Sequence, residues 1–228
     1  MYPISFTKYL EKMIKFKKYI PSSLKAILWQ YFLYRKHSRN NSIGKHVVIS
    51  KDFICGHNCK ISDGAVIGKE VVLGNSVEIG KRALISKAQI GNQSFIESNV
   101  IFTGYGKGHI KIGNESYIGL YNVLDWSSDL IIGNYVHIAG PSTGIWTHSS
   151  TKMCLNGISL NEKSELFRPT APVHIEDNVW IGGNCTIYPG VHIGRHSIVS
   201  PNSAVTKDVQ PYSMVGGVPA RVIKIIEM

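Results

Sequence analysis

Residues 145–174 of this 228-residue chain gather the side chains best suited to chemistry: Trp146, Thr147, His148, Glu162, Glu165 and Arg168. An imidazole changes charge near neutral pH, so His148 is the group in this stretch that can take a proton from a hydroxyl and pass it on. A lone loop histidine is by itself usually just solvated, so its meaning depends on what surrounds it. Other chemical motifs are weaker. Cys55 and Cys59 form CxxxC with no second pair, and Cys55 and Cys185 sit where small core residues are expected, as reduced cytosolic thiols. Gly104, Gly106 and Gly108 in GYGKGH are glycine-rich like a phosphate loop, but no strand-to-helix context follows, so a surface turn is expected.

The elements that must position His148 are written in a six-residue beat. In 175–210 an Ile or Val opens every block, at 175, 181, 187, 193, 199 and 205, and Val179, Cys185, Val191, Ser197, Ser203 and Val209 fill the fifth places. A period of six fits neither a long strand nor a long helix. It fits a short strand plus a turn, stacked repeatedly into a parallel β-helix, with three such units closing a triangular coil. Upstream the beat runs through Ile43, Ile49, Cys55, Ile61, Ile67, Leu73, Ile79 and Ile85. One block is then a residue short, and Ile90, Ile96 and Phe102 follow. After the insertion at 104–109 come Ile112, Ile118 and Leu124; a slip at 125–131 precedes Ile132, Ile138 and Gly144. The break at 145–174 must loop out of the core, and long loops in compact domains are commonly functional.

The net charge of +10 is unevenly spread: residues 1–40 hold nine Lys or Arg against Glu11, a net of +8, which leaves +2 for the rest. A nucleic-acid reader needs a basic face on its folded body, and none is expected here. Residues 4–20 and 24–36 read as two helices separated by Pro21. Neither has the run of ~18 apolar residues of a membrane span, and no signal peptide is expected. Residues 1–40 therefore form a basic amphipathic segment, read either as a cap on the solenoid or as an arm on anionic membrane, and 41–228 form the β-helix domain.

Four stretches carry a family resemblance: Thr147–His148, PVHIEDNVWIGGNCTIYPGVHIG at 172–194, VTKDV at 205–209 and GVPARVIK at 217–224. Over roughly 43–226 the chain resembles the hexapeptide-repeat acyltransferases, closest to O-acetyltransferases of sugars and polysaccharides. The resemblance implies a mainly β fold, a left-handed parallel β-helix with an excursion loop, here at about 145–174. It implies acetyl-CoA as co-substrate without a metal, a carbohydrate acceptor, and a homotrimer with the donor in the groove between subunits. His148 stands where the family has its catalytic base. Trp180 and the Gly183 backbone match the donor path, Thr206 and Lys207 a T-K pair near the donor, and Arg221 and Lys224 basic residues suited to the nucleotide phosphates. Where the family has G-A-G-S this chain has Ser200-Pro201-Asn202-Ser203, so at Pro201 the expected amide contact is lost or moves to a neighbour. Asn122 and Asp125 lie where the family turns polar residues toward the acceptor, with turn chemistry as the alternative. Trp126 and Trp146 offer a sugar-stacking face or simple packing, and Glu162 or Glu165 could orient His148. Cys154 is expected to be a bystander.

The implied activity is acetyl transfer to a sugar hydroxyl of a surface polysaccharide, its precursor or a glycolipid, on the cytoplasmic side and membrane-proximal through residues 1–40. N-acylation of an amino sugar nucleotide is the alternative within the enzymes. Outside them stand a non-catalytic scaffold and a three-histidine metal site. The latter is poorly served by His192 and His196, the nearest pair.

Overall fold

Most six-residue blocks fold as an extended pair of residues followed by a turn whose fourth place has positive φ. Between Ile175 and Val205 those places are Asn178 (φ 59°), Asn184 (56°), Gly190 (83°), His196 (55°) and Asn202 (60°). Asn and Gly tolerate this region with the least strain, which explains their recurrence there. The turn redirects the chain, and the next strand begins a new face.

In the computed structural model, described over residues 40–227 except 160, 163 and 164, these strands build three sheets of 10, 8 and 7 strands. Every pairing between successive coils is parallel, for example Ile118 beside Ile138 and Ile138 beside Ile181 on the ten-stranded face. The ten-stranded sheet ends in an antiparallel hairpin of Ser213–Gly217 with Ala220–Ile225. The chain divides into two compact units, Met1–Ser38 and Arg39–Met228. The expected helical segment lies outside the described residues, apart from Asn40. No helix among the described residues is long and apolar enough to cross a membrane.

The block-opening residues form the core. Ile175, Ile181, Ile187, Ile193 and Val199 are fully buried, and the fifth-place residues from Val179 to Val209 are buried with them. Each buried Ile adds roughly 1.5–3 kcal/mol of hydrophobic stabilisation, and stacking equivalent residues joins these contributions into one column. One register differs from the sequence reading. The beat lands on Ile145, paired with Leu124 and Ile187, rather than on Gly144, because the turn at 139–143 holds one residue more. Gly144 faces outward, where a Cβ would sit 2.8 Å from Trp146 Nε1; glycine makes room for that indole.

Candidate active site

The four faults that the beat shows in sequence fall at the same corner of the prism, whereas the extra residue at 139–143 lies between the ten- and eight-stranded sheets. The short block follows strand Leu84–Ile85, the glycine-rich insertion follows Ile101–Thr103, the slip follows Val123–Asp125 and the long excursion follows Gly144–Ile145. Each of those strands belongs to the eight-stranded sheet, and each fault ends on a strand of the seven-stranded sheet. Irregular segments from successive coils are therefore stacked. Their contact is close: a Cβ on Gly106 would overlap the Ser127 carbonyl, and one on Gly108 the backbone of Ser128. The glycines of GYGKGH serve this backbone approach.

His148 stands at the neck of the excursion. The Ala171 N–H donates to the Thr147 carbonyl (2.9 Å) and the Ser149 N–H to the Pro169 carbonyl (3.1 Å), so the loop closes just beyond it. Inside, His148 Nδ1 donates to Asp125 Oδ2 at 2.5 Å, with Ser127 Oγ 3.2 Å away. Asp125 is fully buried, whereas the His148 side chain keeps 23% of its surface exposed. The carboxylate also accepts the Thr147 N–H (2.9 Å), the Ser127 N–H (2.9 Å) and the Ser127 hydroxyl (2.6 Å). Burial alone would raise the Asp125 pKa. The hydrogen bonds from Ser127, His148 and Thr147 outweigh burial and hold it below its ordinary value. An ionised Asp125 fixes the proton on Nδ1, and Nε2, which no described residue hydrogen-bonds, is left as the basic nitrogen. Tyr105 and Trp146 place ring edges against the imidazole, with centroids at 5.0 and 6.3 Å.

Beside this pair opens a cavity of about 650 Å³, lined among others by Tyr105, Lys107, Ser127, Glu162, Glu165 and Arg168. The Arg168 guanidinium lies 4.6 Å from the centre of the Tyr105 ring, and the Tyr105 hydroxyl donates to the Arg168 carbonyl (3.0 Å). This pair joins the excursion to the glycine-rich turn. Burial pushes the Tyr105 pKa up, so its hydroxyl keeps that proton at neutral pH. Arg168 Nε is buried without a hydrogen-bond partner among the described residues.

Several expectations are corrected here. Asn122 and Asp125 do not face an acceptor, since both are fully buried. The Asn122 amide donates to the Ala139 carbonyl (3.1 Å) and accepts the Thr143 N–H (2.8 Å), pinning the widened turn. Asp125, not Glu162 or Glu165, orients His148. Asp125 lies one residue beyond Leu124, the rung partner of Ile145, so it starts out beside the neck; the two glutamates line the cavity instead. Neither Trp126 nor Trp146 lines it: Lys87 Nζ sits 4.8 Å over the Trp126 ring, and Trp146 packs edge-on to His148. Tyr105 and Lys107, on what reads as a plain surface turn, are the residues the sequence reading missed. Their signal was the coincidence of faults at one corner.

The residues matched to a donor divide between places. Lys207 and Arg221 line one depression of about 230 Å³. Thr206 and Lys207 follow strand Ala204–Val205 at the corner that carries His148, further along the solenoid. Gly183 and Pro201 lie at the corner between the ten- and eight-stranded sheets, with Trp180 on the ten-stranded face beside them and 38% exposed. Lys224 stands on the final strand. Around Pro201 the neighbouring amides are committed: the Ser200 N–H donates to the Val215 carbonyl (2.8 Å) and the Asn202 N–H to the Gly183 carbonyl (3.1 Å). The amide missing at Pro201 is therefore not replaced by either neighbour. His174 and His192 stack on the outer face with ring centroids 5.0 Å apart, and His192 Nε2 contacts Glu176 (2.9 Å). Cys154 is exposed on the short helix Thr151–Leu155.

Comparisons with known proteins agree with this architecture. The family described as bacterial transferase hexapeptide (six repeats) matches residues 172–207. The galactoside O-acetyltransferase of Escherichia coli (strain K12) is 35% identical over 139 residues, covering 61% of this chain and 64% of that protein. A Staphylococcus aureus (strain COL) protein provisionally named an acetyltransferase is 37% identical over 70 residues, covering 31% of this chain and 35% of that protein. The chain thus spans less than two thirds of the length of either relative. Among solved structures, the crystal structure of AntD, an N-acyltransferase from Bacillus cereus, in complex with dTDP and 3-hydroxybutyryl-CoA, has a TM-score of 0.55. It shares 22% identity over 87% of this chain and 88% of that one, a likeness of fold. The protein carries the bacterial transferase hexapeptide repeat and builds from it a left-handed parallel β-helix.

Proposed function

We propose that the protein transfers an acetyl group from acetyl-CoA to a hydroxyl of a sugar, in a surface polysaccharide, its precursor or a glycolipid, with His148 as general base. The observation that carries this reading is the Asp125–His148 pair: one ring nitrogen is held by a buried carboxylate, the other has no hydrogen-bond partner among the described residues, and the neighbouring Ser127 and Tyr105 line a 650 Å³ cavity. Likeness to a galactoside O-acetyltransferase over 139 residues supports the reaction class.

A sugar hydroxyl is a poor nucleophile at neutral pH. Nε2 of His148 takes its proton as the oxygen attacks the thioester carbonyl, and Asp125 stabilises the imidazolium that forms. A backbone N–H stabilises the oxyanion. Collapse of the tetrahedral intermediate breaks the C–S bond, and the imidazolium returns the proton to the thiolate. No covalent enzyme intermediate is needed. Lys207, Arg221 and Lys224 bind the phosphates of the donor, while Trp180, Gly183 and Thr206 line its pantetheine path. Because those groups occupy two corners of one chain, the reading includes a homotrimer, in which the groove between subunits brings a Gly183 corner to a Lys207 corner. The basic segment 1–40 holds the enzyme near an anionic membrane on the cytoplasmic side. Its test is fractionation after deletion of 1–40, where unchanged membrane association refutes it.

The activity is tested by thiol release from acetyl-CoA with a panel of sugar acceptors. Wild type releases thiol only with acceptor, and His148→Ala slows it by about 10²–10⁴. Release that survives the substitution refutes the base; no release with any acceptor refutes the enzyme.

A further inference from the structure

We infer that the cavity beside His148 selects an acceptor that carries an anionic oxygen group, a carboxylate or a phosphate, which Lys107 and Arg168 bind. This rests on the acetyltransferase reading and names the acceptor's charge. Three observations carry it. Both cations line a cavity whose wall includes Ser127 and Tyr105, the two residues in contact with the His148 ring. Arg168 Nε is a buried donor with no hydrogen-bond partner among the described residues, and a charged donor left unsatisfied is unfavourable unless a ligand completes it. The Arg168 guanidinium is braced on the Tyr105 ring, and Lys107 makes no hydrogen bond or ion pair with another described residue. A stacked guanidinium pre-oriented in this way suits a planar two-oxygen acceptor.

The cavity also holds carboxylates, which bear on the sign. Asp129 is committed to the His109 N–H at 3.0 Å, and neither Glu162 nor Glu165 forms an ion pair with Lys107 or Arg168. Among the described residues the two cations are thus not neutralised by an ion pair, and the polar lining around them matches an acceptor with one anionic group and several hydroxyls.

The test uses matched probes on the full-length protein: methyl glucuronoside against its neutral methyl ester, and a nucleoside-diphosphate hexose against methyl hexoside. Thiol release gives kcat/KM, and equilibrium binding to the His148→Ala protein reads affinity without turnover. One of the charged probes should exceed its neutral partner by about 10- to 100-fold. A preference for the uronoside identifies a sugar acid, and one for the diphosphate identifies a nucleotide sugar. Lys107→Gln should remove most of the preference, read as the charged-to-neutral ratio of kcat/KM. Arg168→Gln should do the same where its melting temperature shows the excursion intact. Neutral probes acetylated or bound as well as charged ones overturn the inference and leave the acetyltransferase reading standing. Charge-selective binding lost in Lys107→Gln, with no thiol release from any probe, keeps the anion site and overturns the reaction.

Discussion

Replacing Asp125 by Asn keeps the side chain's shape and removes its charge. The native carboxylate accepts four hydrogen bonds: Ser127 N–H and hydroxyl on Oδ1, Thr147 N–H and His148 Nδ1 on Oδ2. An amide offers one accepting oxygen and an NH₂ that only donates. Whichever way it turns, the NH₂ meets a backbone N–H, of Thr147 or of Ser127, at a fully buried position. That leaves a donor unsatisfied and costs roughly 1–3 kcal/mol of stability. With the NH₂ toward His148, Nδ1 must accept, the ring proton moves to Nε2 and the base is lost. With the oxygen toward His148, the tautomer survives but the imidazolium loses its counter-charge. The gap between a charged and a neutral hydrogen bond, about 1–1.5 kcal/mol, is about tenfold in rate.

The expected loss in kcat/KM therefore lies between about tenfold and the full 10²–10⁴ of removing the base. The sharper test is the double variant. Two groups acting as one unit do not multiply their losses, so Asp125→Asn with His148→Ala should be no slower than His148→Ala alone. Stability gives an independent reading by urea unfolding. The native Asp125 pKa lies below 3.8, so its contribution is present above pH 3.8 and is lost as pH falls through the lowered value. The gap between wild type and Asp125→Asn should shrink in that acid range. A folded Asp125→Asn enzyme with unchanged kcat/KM, or losses that multiply in the double variant, would refute the coupling.

Three other outcomes follow from the geometry. On the proposed reading, Lys207→Gln and Arg221→Gln should each raise the KM for acetyl-CoA by about tenfold with little change in kcat, read from initial rates, because each removes a charge from the depression the two residues line rather than from the reacting atoms. Ile138, fully buried between Ile118 and Ile181, should cost about 2–5 kcal/mol in urea unfolding on truncation to Ala and about 0.5–1.5 on exchange to Val. The Cys59 thiol, lowered to about 7 chiefly by its hydrogen bond with Cys55, should titrate near neutrality in the thiolate absorbance of the folded protein and shift upward in Cys55→Ala. Since that value lies below the ordinary 9.0, its stabilisation is full above pH 9 and fades as pH falls through 7.

The repeat was legible because the same two places in each block of six, the opener and the fifth, are the buried ones, and a regular solenoid lets no opener drift. Where a turn took an extra residue, at 139–143, counting alone placed Gly144 in the core, and the cost of that single slip was mechanistic. With Gly144 as the rung, Asp125 falls opposite Ile145, a buried core residue, and nothing links it to His148. With Ile145 as the rung, Asp125 comes beside Trp146 and the neck of the excursion. Glu162 and Glu165 stood nearer to His148 in sequence but lie in a loop without register, where sequence distance has no fixed relation to distance in space.

The place of the site was present in the same counting. Taken in threes, the openers assign Ile85, Phe102, Leu124 and Gly144 (Ile145 in the structure) to one face and Ile90, Ile112, Ile132 and Ile175 to the next. Four faults, the short block, the insertion at 104–109, the slip at 125–131 and the excursion, lie between those two faces; the single extra residue at 139–143 lies at the corner before them. Stiff rungs on either side force irregular segments far apart in sequence into contact, so insertions at one corner build a single cavity, whereas the same insertions at different corners would remain separate loops. Tyr105, Ser127, His148 and Arg168 meet for that reason. Their contacts depend on rotamers and on the glycines at 106 and 108, which the period does not encode. A solenoid thus specifies where its site is by arithmetic, and what the site binds by the side chains that its faults bring together.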